Sequence, residues 1–152
     1  MTEALLIHAP LAGRVMPLGE VPDPVFSAQM VGSGAAIEPP EGETFDVVSP
    51  VAGKIIKLLP HAFIVVDTAG RGVLTHVGID TVKLQGEGFE LLIDKGATVD
   101  AGALIMRVDP AAAVAAGYSL VSPIVVLDTK PDTATPIASG AVAAGAELFS
   151  VP

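Results

Sequence analysis

The chain has no cysteine among its 152 residues. Disulfides, thiolate nucleophiles and cysteine metal sites are therefore excluded, and any step that needs a thiol must draw it from another polypeptide or a part of a larger protein. Tryptophan is absent and aromatics make up 4%, so the core has to be built from aliphatic side chains. Cations are scarce: eight Lys plus Arg against seventeen Asp plus Glu give a formal charge of -9. That balance argues against nucleic acid, where phosphate contacts dominate affinity, and suits a basic protein partner or simply solubility. Long apolar runs are missing too. Hydrophobic residues reach 51%, yet no stretch of roughly eighteen apolar residues could span a bilayer. The start, MTEALLIHAPLAG, has no basic region ahead of an apolar one, so no signal peptide is read there and the cytoplasm is the expected location.

What is plentiful is punctuation. Sixteen Gly and thirteen Pro separate short runs rich in Val, Ile and Leu, among them VVSPVAGKIIKLL, AFIVVD, GVLTHVGI, LIMRVD, PIVVLD and ELFSVP. Such spacing predicts an all-β protein, a sandwich or barrel, and the length suits one domain over 1–152. One short helix is predicted at DPAAAVAAG, where Asp109 can cap, Pro110 fits the first position and Gly117 can take the left-handed stop.

The chain also repeats itself. APLAGRVMPL (9–18) matches SPVAGKIIKL (49–58), and GATVDAGALIMRV (96–108) matches GAVAAGAELFSV (140–151). Both pairs point to two related half-motifs packed together. Biotinyl and lipoyl carrier domains use a similar grammar of a Pro turn followed by GxxVxxG. Their swinging arm needs a lysine at the hairpin tip after that turn, whereas Lys95 precedes Val99 and Gly102 and reads as a solvated loop charge.

Three histidines remain. His8 stands near the first strand with no evident role. His61 and His76 flank HAFIVVDTAGRGVLTH, two strand runs joined by a turn with Gly70. If Asp67 pairs with Gly72, His76 faces Phe63, and His61 lies on the same face diagonal to it. A three-residue loop would instead shift the parity and put the rings on opposite faces. Two adjacent imidazoles without cysteine or HExxH leave three readings. They are satisfied surface histidines, metal ligands still lacking a third and fourth donor such as Asp80, or a nucleophile with a helper. For the last, one ring nitrogen tied to a backbone carbonyl leaves the other free to attack, and Gly78 lets backbone come close enough.

HVGIDTVKLQGEGF (76–89) resembles the signature of the glucose-type IIA domain (EIIA) of the bacterial phosphoenolpyruvate-dependent sugar phosphotransferase system, H(F/V)GIDTVxLxGEGF. APLAGRV, VPDPVFSAQMVGSGAAI (21–37), SPVAGKI and PHAF resemble four further motifs of that family in order, so the likeness covers the chain from about residue 7 to its end. The resemblance implies an antiparallel β-sandwich of two related half-motifs, a duplicated barrel-sandwich hybrid. It implies a phosphocarrier in which His76 takes a phosphoryl group from phospho-HPr and passes it to a cysteine of an EIIB domain, with His61 holding the group. Asp23 and Asp80 match residues rimming the site, and Val25, Phe26, Val31, Leu58, Leu74 and Val82 match an apolar patch that docks HPr and EIIB.

No cofactor is implied, and no metal of the chain's own; a zinc on His61 and His76 belongs only to complexes with a partner. Regulatory binding of permeases or kinases through the same face is the alternative, with a metallohydrolase or a lipoyl-type carrier behind it. Three departures stand out. The stretch before His61 is about two residues short and puts Leu59 where the family often has Thr. Leu58 and Leu74 replace common Phe. The chain begins almost at its first strand, so the amphipathic N-terminal tail of some members is not expected, nor direct membrane contact.

Overall fold

The computed structural model describes residues 4–152; the first three residues of the expected domain and of the N-terminal reading lie outside it. Among the described residues the strands are β1 (Leu5–His8), β2 (Gly13–Pro17), β3 (Gly32–Glu38), β4 (Phe45–Val48), β5 (Gly53–Leu59), β6 (Ala62–Val66) and β7 (Gly72–His76). They continue as β8 (Phe89–Leu91), β9 (Thr98–Val99), β10 (Leu104–Val108), β11 (Ser122–Leu127), β12 (Thr135–Pro136), β13 (Ala141–Val142) and β14 (Glu147–Val151). Every pairing is antiparallel, as the all-β reading requires.

The strands form one eight-stranded sheet, ordered β13-β2-β3-β11-β7-β6-β5-β9, and two three-stranded sheets, β1-β14-β12 and β4-β10-β8. These orders are two-fold: exchanging β2 with β5, β3 with β6, β11 with β7 and β13 with β9 reproduces the large sheet, and the small sheets exchange with each other. The repeats in the sequence are this symmetry. His8 N–H donates to Pro50 O (2.9 Å) and Val48 N–H to Pro10 O (2.7 Å), a reciprocal pair that ties the halves together. Gly13 and Gly53 are required by close approach. A Cβ at either would sit 2.2 Å from a backbone carbonyl oxygen, of Glu38 or Val66.

All three sheets bury side chains in one core, with Ile7, Phe149 and Val151 from one small sheet, Val47, Ile105 and Met106 from the other, and Ile37, Phe63, Val73 and Ile124 from the large one. The large sheet is covered on its outer face as well. The segment after β2 folds back over it and buries Leu18, Val21 and Phe26 against Ala36, Ile79, Val121 and Val125. Strand β11 is therefore buried on both faces, which explains its unbroken apolar run, PIVVL.

The predicted helix is present as α2 (Ala111–Ala116), the second in chain order. Asp109 Oδ1 accepts from Ala111 N–H (3.0 Å), and Gly117 takes φ 78° at the stop. A single-turn helix, α1 (Pro24–Ser27), adds to the one expected. Asp23 caps it by accepting from Val25 N–H (2.9 Å), and Pro24 fills its first position. Four residues are too few for periodicity to register.

The register of β6 and β7 differs from the expected one. Val66 pairs with Gly72 and Ala62 with His76, around a tip closed by Asp67 N–H donating to Arg71 O (3.0 Å). The Asp67 carboxylate accepts from the amides of Ala69 and Arg71 and from the Arg71 guanidinium at 2.8–3.0 Å, and Gly70 takes φ 84°. The loop is thus the three-residue one, Thr68 to Gly70. Phe63 faces Thr75 in the core and not His76.

Candidate functional site

Strand β7 ends at His76, and the chain then leaves the sheet. Gly78 has φ 82° and Asp80 φ 63°, both left-handed, so Asp80 does not continue the strand face of His76. Gly78 is confined as well as twisted: a Cβ there would meet Thr81 Cγ2 at 2.5 Å and Ser119 O at 2.9 Å. This bend brings Gly78 O to 2.7 Å from His76 Nδ1. A carbonyl only accepts, so Nδ1 carries the proton and Nε2 keeps its lone pair.

His61 reaches the site by a route that strand alternation did not supply. It precedes β6, in the two-residue turn Pro60–His61 that joins Leu59 to Ala62. The turn breaks the alternation, so the shifted register does not separate the rings. Their centroids are 5.0 Å apart, edge to face at 77°. The His61 carbonyl accepts from Val77 N–H (2.7 Å), fixing this turn against the exit from β7. The expectation that both imidazoles share one place is met, although the pairing offered for it was wrong.

Both rings are biased towards neutrality. Burial lowers the His61 pKa below 6.5, and the neighbouring His76 lowers it further. Burial likewise lowers that of His76, opposed by the hydrogen bond to Gly78 and by the negative fields of Asp23 and Asp80. The net direction leaves neutral imidazole, the form that can act as a nucleophile.

The residues expected to form the apolar patch divide into four groups. Val25 (42% exposed) and Val82 (58%) are open, and Val31 and Leu74 are half-buried against the outer apolar cluster. Phe26 is 7% exposed, and its ring packs on His76 with centroids 5.3 Å apart; it is a wall of the site more than a docking surface. Leu58 is not brought to this face. It pairs with Phe63 on the core side of the sheet, because a bulge between Ile55 and Lys57 resets the alternation of β5. The exposed apolar residue at that hairpin end is Leu59, opposite Ala62.

Sequence reasoning missed two hydroxyls and a backbone carbonyl behind the site. Thr81 Oγ1 donates to Val77 O (2.7 Å), Ser122 Oγ accepts from Gly78 N–H (3.3 Å), and Ser119 O accepts from Ile79 N–H (2.9 Å). Only a local signal existed, the Thr directly after GID. Among the described residues no three His, Asp or Glu side chains gather where they could hold a metal ion. Lys95 lies exposed in the turn before β9.

Residues 5–131 match the family model described as phosphoenolpyruvate-dependent sugar phosphotransferase system, EIIA 1. The fold is similar to that of the glucose permease IIA from Mycoplasma capricolum, with TM-score 0.89 and 33% identity over 99% of this chain and 97% of that one. With a family match over most of its length and a likeness in structure from end to end, the chain belongs to the EIIA 1 family of the phosphoenolpyruvate-dependent sugar phosphotransferase system.

Proposed function

We propose that His76 is the phosphoryl acceptor of this EIIA and His61 its partner in transfer. An EIIA of this family takes a phosphoryl group from HPr and passes it to EIIB, and is thus a phosphotransferase component. The observation that carries the assignment is the 2.7 Å contact from His76 Nδ1 to Gly78 O, which leaves Nε2 as the free nucleophile. Nε2 attacks the phosphorus of phospho-HPr, and the bond to the HPr imidazole breaks as the new N–P bond forms. The positive charge that develops on the His76 ring is balanced by the Gly78 carbonyl and by the fields of Asp23 and Asp80. A neutral His61 ring can donate one hydrogen bond to a phosphoryl oxygen, enough to orient the group without trapping it. An EIIB thiolate then attacks phosphorus and His76 leaves as neutral imidazole. That thiol lies on another polypeptide or on another part of a larger protein, since these 152 residues hold no cysteine.

Val25, Val31, Leu74 and Val82, with Leu59 in place of Leu58, form the apolar surface proposed to receive HPr and EIIB in turn, and Phe26 supports it from beneath. We place residues 1–152 as one EIIA domain acting in the cytoplasm with HPr; no described helix is long and apolar enough to cross a membrane. The test is intact mass after incubation with phosphoenolpyruvate, enzyme I and HPr. A single acid-labile phosphoryl group is expected on the wild type and none on His76→Gln. Equal labelling of the variant removes His76 from the mechanism.

A further inference from the structure

The bond between His76 and Gly78 depends on how the Gly78 carbonyl is aimed, and that aim is set from another part of the chain. A peptide unit is planar, with its C=O and N–H pointing in opposite directions. The Gly78 carbonyl therefore shares one rigid plane with the Ile79 amide. Ile79 N–H donates to Ser119 O (2.9 Å), so fixing that amide turns Gly78 O towards His76 Nδ1. The preceding unit is held too: Gly78 N–H donates to Ser122 Oγ (3.3 Å), and the Ser122 hydroxyl donates onward to Leu120 O (2.9 Å).

The supporting segment is itself stiffened. Ser119 Oγ accepts from Val121 N–H (3.1 Å), and Ser122 is the first residue of β11, fully buried and paired with Ile37. Both hydrogen-bonding capacities of the Ser122 hydroxyl are used, and one of them serves the glycine that orients His76. With an apolar residue here the Gly78 amide would lose its partner in a buried place, and such a group costs free energy until the backbone turns to find another acceptor. The peptide following it carries the carbonyl on which the Nδ1 proton depends.

We infer that Ser122 is a positioning residue for phosphoryl transfer: through the Gly78 peptide it holds His76 in the tautomer with the proton on Nδ1 and the lone pair on Nε2. This rests on His76 being the acceptor, but its first readout does not. In Ser122→Ala the side-chain nitrogen NMR shifts of His76 should move from the Nδ1–H pattern towards a mixture of tautomers. Phosphorylation by phospho-HPr should slow by about tenfold, taking as a guide the low end of the effect of removing outer hydrogen-bond partners of metal-bound histidines. Ser122→Thr, which keeps the hydroxyl, should restore both. Ser122→Cys fills the same space with a weaker acceptor and carries the same test if the alanine variant folds poorly. A variant with altered thermal stability but wild-type tautomer shifts overturns the inference, as does Ser122→Thr behaving like Ser122→Ala. Failure of the acceptor assignment would appear separately, as phosphate on His76→Gln.

Discussion

At the scale of the residue, the two imidazoles differ in what each can lose. His76→Gln removes the proposed nucleophile and should abolish labelling. His61→Gln should still accept phosphate but pass it on slowly, by a factor of roughly 100 if His61 acts with the weight of a general acid–base group; stopped-flow transfer to a purified EIIB measures it. Gly78→Ala should lower phosphorylation as well as stability, because it forces a Cβ to 2.5 Å from Thr81 Cγ2 at φ 82°. Asp23 has two roles that can be separated. Asp23→Asn keeps an oxygen to cap Val25 N–H but deletes the charge, so the His76 titration followed by NMR should move further down with little change in stability. Asp23→Ala loses the cap as well, at about 1 kcal/mol. The pH dependence follows from the same directions. Both histidines have folded-state pKa values below the ordinary 6.5, so in the acid range the unfolded chain binds more protons than the folded one. Their contribution is fully present above about pH 6.5 and is lost as pH falls through the depressed values. Denaturation between about pH 7.5 and 5 should cost the wild type more than the double variant His61→Gln, His76→Gln, which removes both protonation sites. An equal loss in the two proteins would contradict the assigned burial.

At the scale of the element, the strands, the helix at DPAAAVAAG and the two internal repeats could be read in the sequence, because Gly and Pro mark the turns, one repeat preserves Gly13 and Gly53 where backbone crowds, and the other preserves glycines of positive φ. Gly53→Ala tests that reading: its Cβ would meet Val66 O at 2.2 Å, and overpacking of this kind destabilises by about 1–3 kcal/mol, measurable by urea denaturation. Pairing register was less legible. Alternation counts faces correctly only along regular strand, and here a three-residue tip, a bulge in β5 and the Pro60–His61 turn each shift it. Two of these shifts bear on the site. One moves Ala62 opposite His76, and the turn returns the His61 ring to that same side. The third turns Leu58, half-buried, to the core side and leaves Leu59 outside. The hydroxyls of Ser122 and Thr81 were illegible for a different reason: they act on backbone groups, and a serine at a strand start looks the same whether or not a distant amide needs it.

At the scale of the whole molecule, the fold places the His76 ring at the end of a central strand, walls it with Phe26 and surrounds it with apolar side chains under a net charge of -9. Docking should therefore combine apolar contact with attraction to a basic partner. Val82→Glu, a change at a 58% exposed position, should raise the KM for phospho-HPr several-fold while leaving the His76 titration almost unmoved. Added salt should slow association of the wild type, since surface attraction is screened over roughly 10 Å at 0.1 M. In the proposed mechanism the phosphoryl group rests on His76 Nε2, with Nδ1 held by the Gly78 carbonyl. Phosphorus–nitrogen coupled NMR of the phosphorylated, nitrogen-labelled protein reads it directly. The expected result is one phosphohistidine, at residue 76, bonded through Nε2, with Nδ1 protonated. Phosphate on Nδ1, on His61 or on any other residue would contradict it.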